Sequence, residues 1–133
     1  MGQIFTWLDK NQPVGLLLLR LFIGVRLIYG VADNILSWQK MHEFRDFLHA
    51  FHFPFPLAAA MLSVYAQALG GLSYITGWKV RYAAMLMIVN FSLALIMVHR
   101  NQGFEEMTSA LAMLFISILL LFTGNKILPH KIL

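Results

Sequence analysis

Four long apolar stretches, separated by short polar segments, organise most of this chain. They cover about residues 13–36, 57–76, 80–98 and 107–122. Each is close to the roughly 20 residues that an α-helix needs to cross the hydrocarbon core of a bilayer. The pattern predicts four transmembrane helices. Short turns after the second and third stretches predict that successive helices run antiparallel in one all-α bundle.

The segment between the first two stretches, residues 37–53, has a different pattern. Its apolar residues recur at helical spacing, and charged residues fill the opposite face. The apolar positions are Trp38, Met41, Phe44, Phe47, Leu48 and Phe51. This pattern is typical of an amphipathic helix that lies in the membrane interface. Pro54 and Pro56 are expected to end this helix and to begin the second span.

The composition supports an integral membrane protein with a single transmembrane domain over residues 1–133. Of the 133 residues, 59% are hydrophobic and 12% are charged, whereas soluble domains usually carry about 25% charged residues. The chain has no cysteine. A disulfide, a thiolate metal site and thiol redox chemistry are therefore excluded. The N-terminal segment lacks the features of a removable signal peptide, and none is expected.

The basic residues predict an orientation in the membrane. One side of the predicted bundle carries Lys10, Lys79, Arg81, Lys126 and Lys131. The other side carries Lys40, Arg45 and Arg100, accompanied by four acidic residues. The positive-inside rule places both termini in the cytoplasm. Because the net charge of +4 is distributed over the membrane ends, we expect no binding to nucleic acid.

Two arginines, Arg20 and Arg26, lie inside the first apolar stretch. An arginine in a transmembrane segment costs roughly 3 kcal/mol on insertion scales, so it usually faces the bundle interior and has a partner. Asp33 follows Arg26 by seven residues on the same helical face. We expect Asp33 to neutralise Arg26, with Tyr29 between them. Arg20 is expected to meet an amide side chain of a later span.

Amide side chains lie within the second and third spans, at Gln67 and Asn90. A buried amide in lipid needs a hydrogen-bond partner on another helix. Gln67 also shares a helical face with Gly70 and Gly71, which favours either close helix packing or a ligand cavity with Gln67 as its polar contact. Asn90 is expected to form a structural hydrogen bond with Gln67 or an arginine.

A cavity is predicted at the outer end of the bundle, beneath the amphipathic helix. We expect it to be bounded by Tyr29, Asp33, Gln67, and Tyr74 or its neighbours, and roofed by Phe47 or Phe51. The amphipathic helix would then act as a lid that rides on the interface. The alternative is that this helix simply floats on lipid.

Catalytic and metal sites are not expected. His42, His49, His52 and His99 map to the predicted outer side, but their spacing is irregular and no carboxylate motif accompanies them. Intrinsic haem is not expected either, because only His99 lies near the end of a span. The chain has no nucleophile–base pattern, phosphate-binding loop or dinucleotide fingerprint. Stand-alone catalysis is therefore not expected.

Three sequence motifs resemble the DoxX family of small four-helix bacterial membrane proteins. They are LLLRLFIGVRLIYG in the first span, FPFPLAAAMLSVYAQALGGLSYITGW through the second, and VHRNQGF after the third. The resemblance extends over about residues 13–125. The first motif resembles the family's leucine-arginine-leucine and glycine pattern, here Arg20 and Gly24. Gln67 occupies the position where the family usually has an acidic residue before paired glycines.

The resemblance implies residence in the bacterial inner membrane and association with redox systems. It suggests a redox-associated module or subunit that binds a quinone or another lipid-like molecule. No intrinsic cofactor is expected. The expected partners are membrane lipid and a membrane oxidoreductase subunit. The alternative is a structural subunit of a larger membrane complex, without a ligand or catalysis of its own. The oligomeric state stays open. The candidate ligand-binding residues are Arg20, Arg26, Tyr29, Asp33, Gln67 and Asn90.

Overall fold

The computed structural model describes residues 2–97 and 103–124, apart from the side chain of Glu106, and its regular elements are all α-helices. They are α1 (Gly2–Lys10), α2 (Gln12–Leu36), α3 (Trp38–Ala50), α4 (Pro56–Thr76), α5 (Val80–Met97) and α6 (Phe104–Thr123). The predicted spans correspond to α2, α4, α5 and α6, and the amphipathic segment corresponds to α3. Val98, His99, Arg100, Lys126 and Lys131 lie outside the described residues.

The helices have the length and composition of membrane spans. Helices α2, α4 and α5 are each long and apolar enough to cross a bilayer, and α6 has a slightly shorter apolar stretch, Met107–Thr123. Large apolar side chains cover the outside of the bundle, among them Phe22, Leu62, Val89 and Phe115. Such a surface suits lipid rather than water. The predicted all-α membrane fold is therefore confirmed.

Local chemistry explains where the helices begin and end. Pro13 lies in the first turn of α2, where its missing N–H is not needed. Ser37 is extended and separates α2 from α3, and its side chain accepts a hydrogen bond from the backbone N–H of Lys40. Gly77 ends α4 with φ 82°, a conformation that glycine adopts without steric cost. These residues set the two ends of the bundle.

The spans pack in chain order: α2 against α4, α4 against α5, and α5 against α6. The closest crossing joins α2 and α4 at two glycines. A Cβ atom on Gly24 would lie 2.7 Å from the backbone oxygen of Gly71, and a Cβ on Gly71 would lie 2.7 Å from the oxygen of Gly24. Small residues let the helix backbones approach here. Within the described residues, α2 and α6 have no comparable close packing.

Two apolar clusters form the core. The inner one joins all four spans and comprises Ile23, Leu27, Tyr74, Val80, Ala83, Ala84, Met87 and Leu120. The outer one comprises Val31, Met41, Leu48, Ala60 and Val64. Met41 and Leu48 of α3 are almost fully buried against α2 and α4. The amphipathic helix is therefore docked on the bundle by two of its apolar residues.

Candidate functional site

A groove at the middle of the bundle opens where α2 and α6 fail to pack closely. Its volume is about 210 Å³. It is lined by Arg26, Leu27, Gln67, Phe91, Ala94, Ser109, Ala110 and Met113. All four spans thus contribute to it. Its apolar wall with a few polar groups is the composition of a site for a small, largely apolar molecule.

A second cavity of about 430 Å³ lies beneath α3, between α2 and α4. It is lined by Gly30, Val31, Asn34, Lys40, Glu43, Phe44 and Gln67. This outer cavity is present where the sequence predicted it, and Gln67 lines it as expected. Its roof is Phe44 together with Lys40 and Glu43, and not Phe47 or Phe51 as predicted. Phe47 is exposed, and Phe51 packs against the outer core cluster instead.

Other predicted members of the cavity wall lie elsewhere. Tyr74 is fully buried in the last turn of α4, at the opposite end of that helix from α3. Tyr29 is 79% exposed on the outer face of α2, and Asp33 is also exposed. Their neighbours Gly30 and Asn34 line the cavity instead. Successive residues of an α-helix point in directions about 100° apart, so when one residue lines the cavity its neighbour in the sequence points away from it.

The predicted ion pair between Arg26 and Asp33 does not form. The ion pairs among the described residues are Lys40–Glu43 and Arg45–Asp46. Residues seven apart share a helical face but are separated by about 10.5 Å along the axis, whereas helical ion pairs join residues three or four apart. Arg26 is exposed, and its guanidinium lies against Gly30, one turn away. The expectation of a buried, neutralised Arg26 is therefore wrong.

A hydrogen-bonded trio joins α4 to α5 at mid-depth. The Ser63 hydroxyl donates to Oδ1 of Asn90 at 2.7 Å, and Nε2 of Gln67 donates to Oγ of Ser63 at 3.0 Å. Asn90 is thus linked to Gln67 through Ser63, which agrees in part with the expected amide contact. The trio holds the Gln67 side chain where the two cavities meet, since Gln67 lines both of them.

Arg20 has a different environment from the one predicted. It is only 2% exposed, and its Nη1 donates to the backbone oxygen of Tyr74 at 3.0 Å. Tyr74 lies in the last turn of α4, where carbonyl groups lack partners within the helix and carry negative partial charge. The expected contact with Gln67 or Asn90 is absent. Arg20 instead caps α4 from inside the bundle.

Two further contacts at this end of the bundle have no clear sequence signal. The buried hydroxyls of Tyr74 and Ser117 form a hydrogen bond of 2.8 Å between α4 and α6. Nε of Arg81 donates to the backbone oxygen of Leu121 at 3.2 Å, so a second arginine caps α6. Arg81 lies at the start of the third span, where a basic residue is expected for orientation, and the sequence does not indicate that it caps α6. A lone serine in an apolar helix, such as Ser117, likewise gives no indication of its partner.

Metal ligands are not gathered in the described part of the chain: no group of three His, Asp or Glu side chains there is placed to hold an ion. His42 makes an edge-to-face ring contact with Trp38, which is ordinary packing for an interfacial histidine. His99 and most of the VHRNQGF motif lie outside the described residues.

Of three comparisons with known proteins, one found a match. Neither the comparison with curated proteins nor that with solved structures found a match. The sequence pattern of the DoxX family matches residues 15–100. The match therefore covers α2 to α5, with both arginines of α2, and ends before α6, so it is shorter than the resemblance noted above. Because this match extends over well more than half of the chain, the protein belongs to the DoxX family.

Proposed function

We propose that this protein is a redox-associated membrane module that holds a quinone or another lipid-like molecule in the groove between α2 and α6. The observation that carries the proposal is the convergence of Arg26 and Gln67 on one mainly apolar groove. Both residues lie near the middle of their helices, α2 and α4. A polar head could therefore find hydrogen-bond donors at a depth where lipid offers none.

The size of the groove limits what it encloses. Its volume of about 210 Å³ is below the roughly 300–1,000 Å³ of typical small-molecule sites. The groove thus suits the ring or head of an amphiphile, and the tail would extend along the apolar outside of the bundle. Isoprenoid quinones have this shape. Because DoxX relatives are associated with redox systems, a quinone is the first candidate.

The proposed setting is the bacterial inner membrane, with both termini in the cytoplasm and a membrane oxidoreductase subunit as partner. Among the described residues, Lys10, Lys79 and Arg81 lie at one end of the bundle. Lys40 and Arg45, at the other end, are paired with Glu43 and Asp46. This asymmetry of basic residues supports the orientation.

Extraction of the purified protein tests the proposal. The protein is solubilised in mild detergent, extracted with organic solvent and analysed by mass spectrometry and visible absorption. We expect a quinone or similar molecule in stoichiometric amount, and a loss of most of it in Arg26→Gln. Arg45→Gln is the matched control, because Arg45 lies on α3 and pairs with Asp46 outside the groove.

The opposite result would favour a structural subunit. If the wild-type protein brings down other membrane proteins and carries no small molecule, the groove has no resident ligand and the proposal is wrong. Equal ligand content in Arg26→Gln and wild-type protein would place the ligand elsewhere on the bundle.

A further inference from the structure

Arg26 is a charged residue within α2, and it has no acidic partner among the described side chains. The basic residues in the ion pairs among the described residues are Lys40 and Arg45. Arg26 lies ten residues before the end of α2 at Leu36, so its Cα is about 15 Å along the helix axis from that end. A charge at this depth is costly without compensation. Arg20 donates to a helix carbonyl, whereas Arg26 has no equivalent contact with the residues that the structure describes.

Gly30 provides the place where the Arg26 guanidinium lies. A Cβ atom on Gly30 would be 2.8 Å from Nη1 of Arg26, so the absence of a side chain lets the guanidinium run along α2 toward the outer end. Gly30 lines the outer cavity, and Arg26 lines the groove. The guanidinium is therefore at the junction of the two spaces, on the same border as Gln67.

We infer that Arg26 selects a ligand with a negatively charged head: a single-chain amphiphile with a carboxylate, its head at the junction and its tail along the α2–α6 groove. This rests on the proposed function and narrows its ligand class. The forked guanidinium donors match a carboxylate geometrically. A neutral carbonyl can accept one hydrogen bond but leaves the charge of Arg26 uncompensated. An acidic amphiphile therefore binds more tightly than a neutral one of equal length.

A phospholipid is a poorer occupant than a single-chain acid. Its phosphate is held at the interface, whereas the Arg26 Cα lies about 15 Å inside the end of α2. A single-chain amphiphile can pass its head through the outer cavity, where Asn34 and Lys40 provide polar groups that suit an anion, to the junction beside Arg26.

The absence of cysteine allows a clean protection assay. Ser109 lines the groove, and Ser109→Cys introduces a nearly isosteric thiol. Its neighbour Thr108 is exposed and lies outside the groove wall, so Thr108→Cys is the matched control. Each variant is placed in nanodiscs of phosphatidylcholine, and its rate of labelling by N-ethylmaleimide is measured with increasing dodecanoate or methyl dodecanoate.

We expect dodecanoate to protect Ser109→Cys at a concentration roughly tenfold lower than methyl dodecanoate, as a charge-assisted hydrogen bond implies. In the double variant that carries both Ser109→Cys and Arg26→Gln, dodecanoate and methyl dodecanoate should protect the thiol at equal concentrations. Thr108→Cys should show no protection. Gly30→Ala should also reduce the preference, since the guanidinium must move, but it should keep the fold, because only the end of a flexible side chain is displaced.

The outcomes separate this inference from the proposed function. Equal protection by acid and ester, or a preference that survives Arg26→Gln, would overturn the charge selectivity while leaving a lipid-binding groove in place. No protection by either probe or by a short-chain quinone would refute the groove itself. Protection by phosphatidylglycerol in the nanodisc alone, without added acid, would make a membrane phospholipid the occupant and contradict the single-chain ligand.

Discussion

The arginines of the membrane-spanning helices have two kinds of surroundings. Arg20 donates to the backbone oxygen of Tyr74, and Arg81 donates to that of Leu121. Each thus compensates the negative end of a helix dipole and satisfies a carbonyl without a helical partner. Arg26 contacts no helix end in the part of the chain that the structure describes, and it borders a groove. We infer that Arg20 and Arg81 stabilise the fold and that Arg26 is left for a ligand.

Replacement of Arg20 by methionine should destabilise the protein. The change removes a buried, charge-assisted hydrogen bond to Tyr74, and such bonds contribute about 1.5–3 kcal/mol. The free energy of unfolding in detergent should fall by that order, with a lower thermal midpoint. Arg45→Met is the control, since surface ion pairs contribute at most about 1 kcal/mol. Equal melting of the two variants would show that Arg20 does not cap α4.

The Tyr74–Ser117 hydrogen bond should appear as a coupling between two substitutions. Tyr74 and Ser117 are both almost fully buried, and their hydroxyls are 2.8 Å apart. Ser117→Ala alone should cost about 1–3 kcal/mol, because the Tyr74 hydroxyl is left without a partner, whereas adding Tyr74→Phe removes that penalty. The double variant should therefore be more stable than Ser117→Ala in thermal unfolding. Additive losses would indicate that the hydroxyls are not coupled.

At the scale of the helices, the crossing of α2 and α4 organises the bundle. The paired glycines of the second span, Gly70 and Gly71, favour close packing, and in the structure each of them contacts a different helix. Gly71 meets Gly24 of α2, whereas a Cβ on Gly70 would lie 3.0 Å from the sulfur of Met87 in α5. The glycines alone could not reveal these partners, because they indicate a surface of small residues and not the helix that packs on it.

Alanine at this crossing should loosen the bundle. A methyl group on Gly24 would meet the backbone oxygen of Gly71 at 2.7 Å, and neither backbone can move aside without separating the helices. Overpacking of this kind costs about 1–3 kcal/mol. Gly15→Ala is the matched control in the same helix, since nothing lies within 4 Å of its added Cβ. Thermal midpoints should fall for Gly24→Ala only, and similar values for both would contradict the close crossing.

At the scale of the whole molecule, hydropathy and prolines were enough to predict the order and approximate limits of the helices. The outer cavity and the position of Gln67 in it also followed from the amphipathic segment and the proline break. The predicted Arg26–Asp33 ion pair was wrong because residues seven apart share a helical face but are too far apart along the axis to be in contact. Arg20's partner is a backbone carbonyl, which no side-chain pattern can indicate. Contacts between spans depend on helix rotation and crossing geometry, which a single sequence leaves open.

The orientation of the whole molecule in the membrane can be tested with two cysteine variants. Lys79 lies in the turn between α4 and α5, and Phe55 lies in the loop before α4, at the opposite end of that helix. The positive-inside rule places Lys79 in the cytoplasm and Phe55 outside. In spheroplasts, a membrane-impermeant maleimide should label Phe55→Cys at once and Lys79→Cys only after lysis, because the chain has no other cysteine. The reverse order would invert the topology. Labelling of both from outside would show that α4 does not cross the membrane, which would also remove the mid-membrane depth assigned to Gln67.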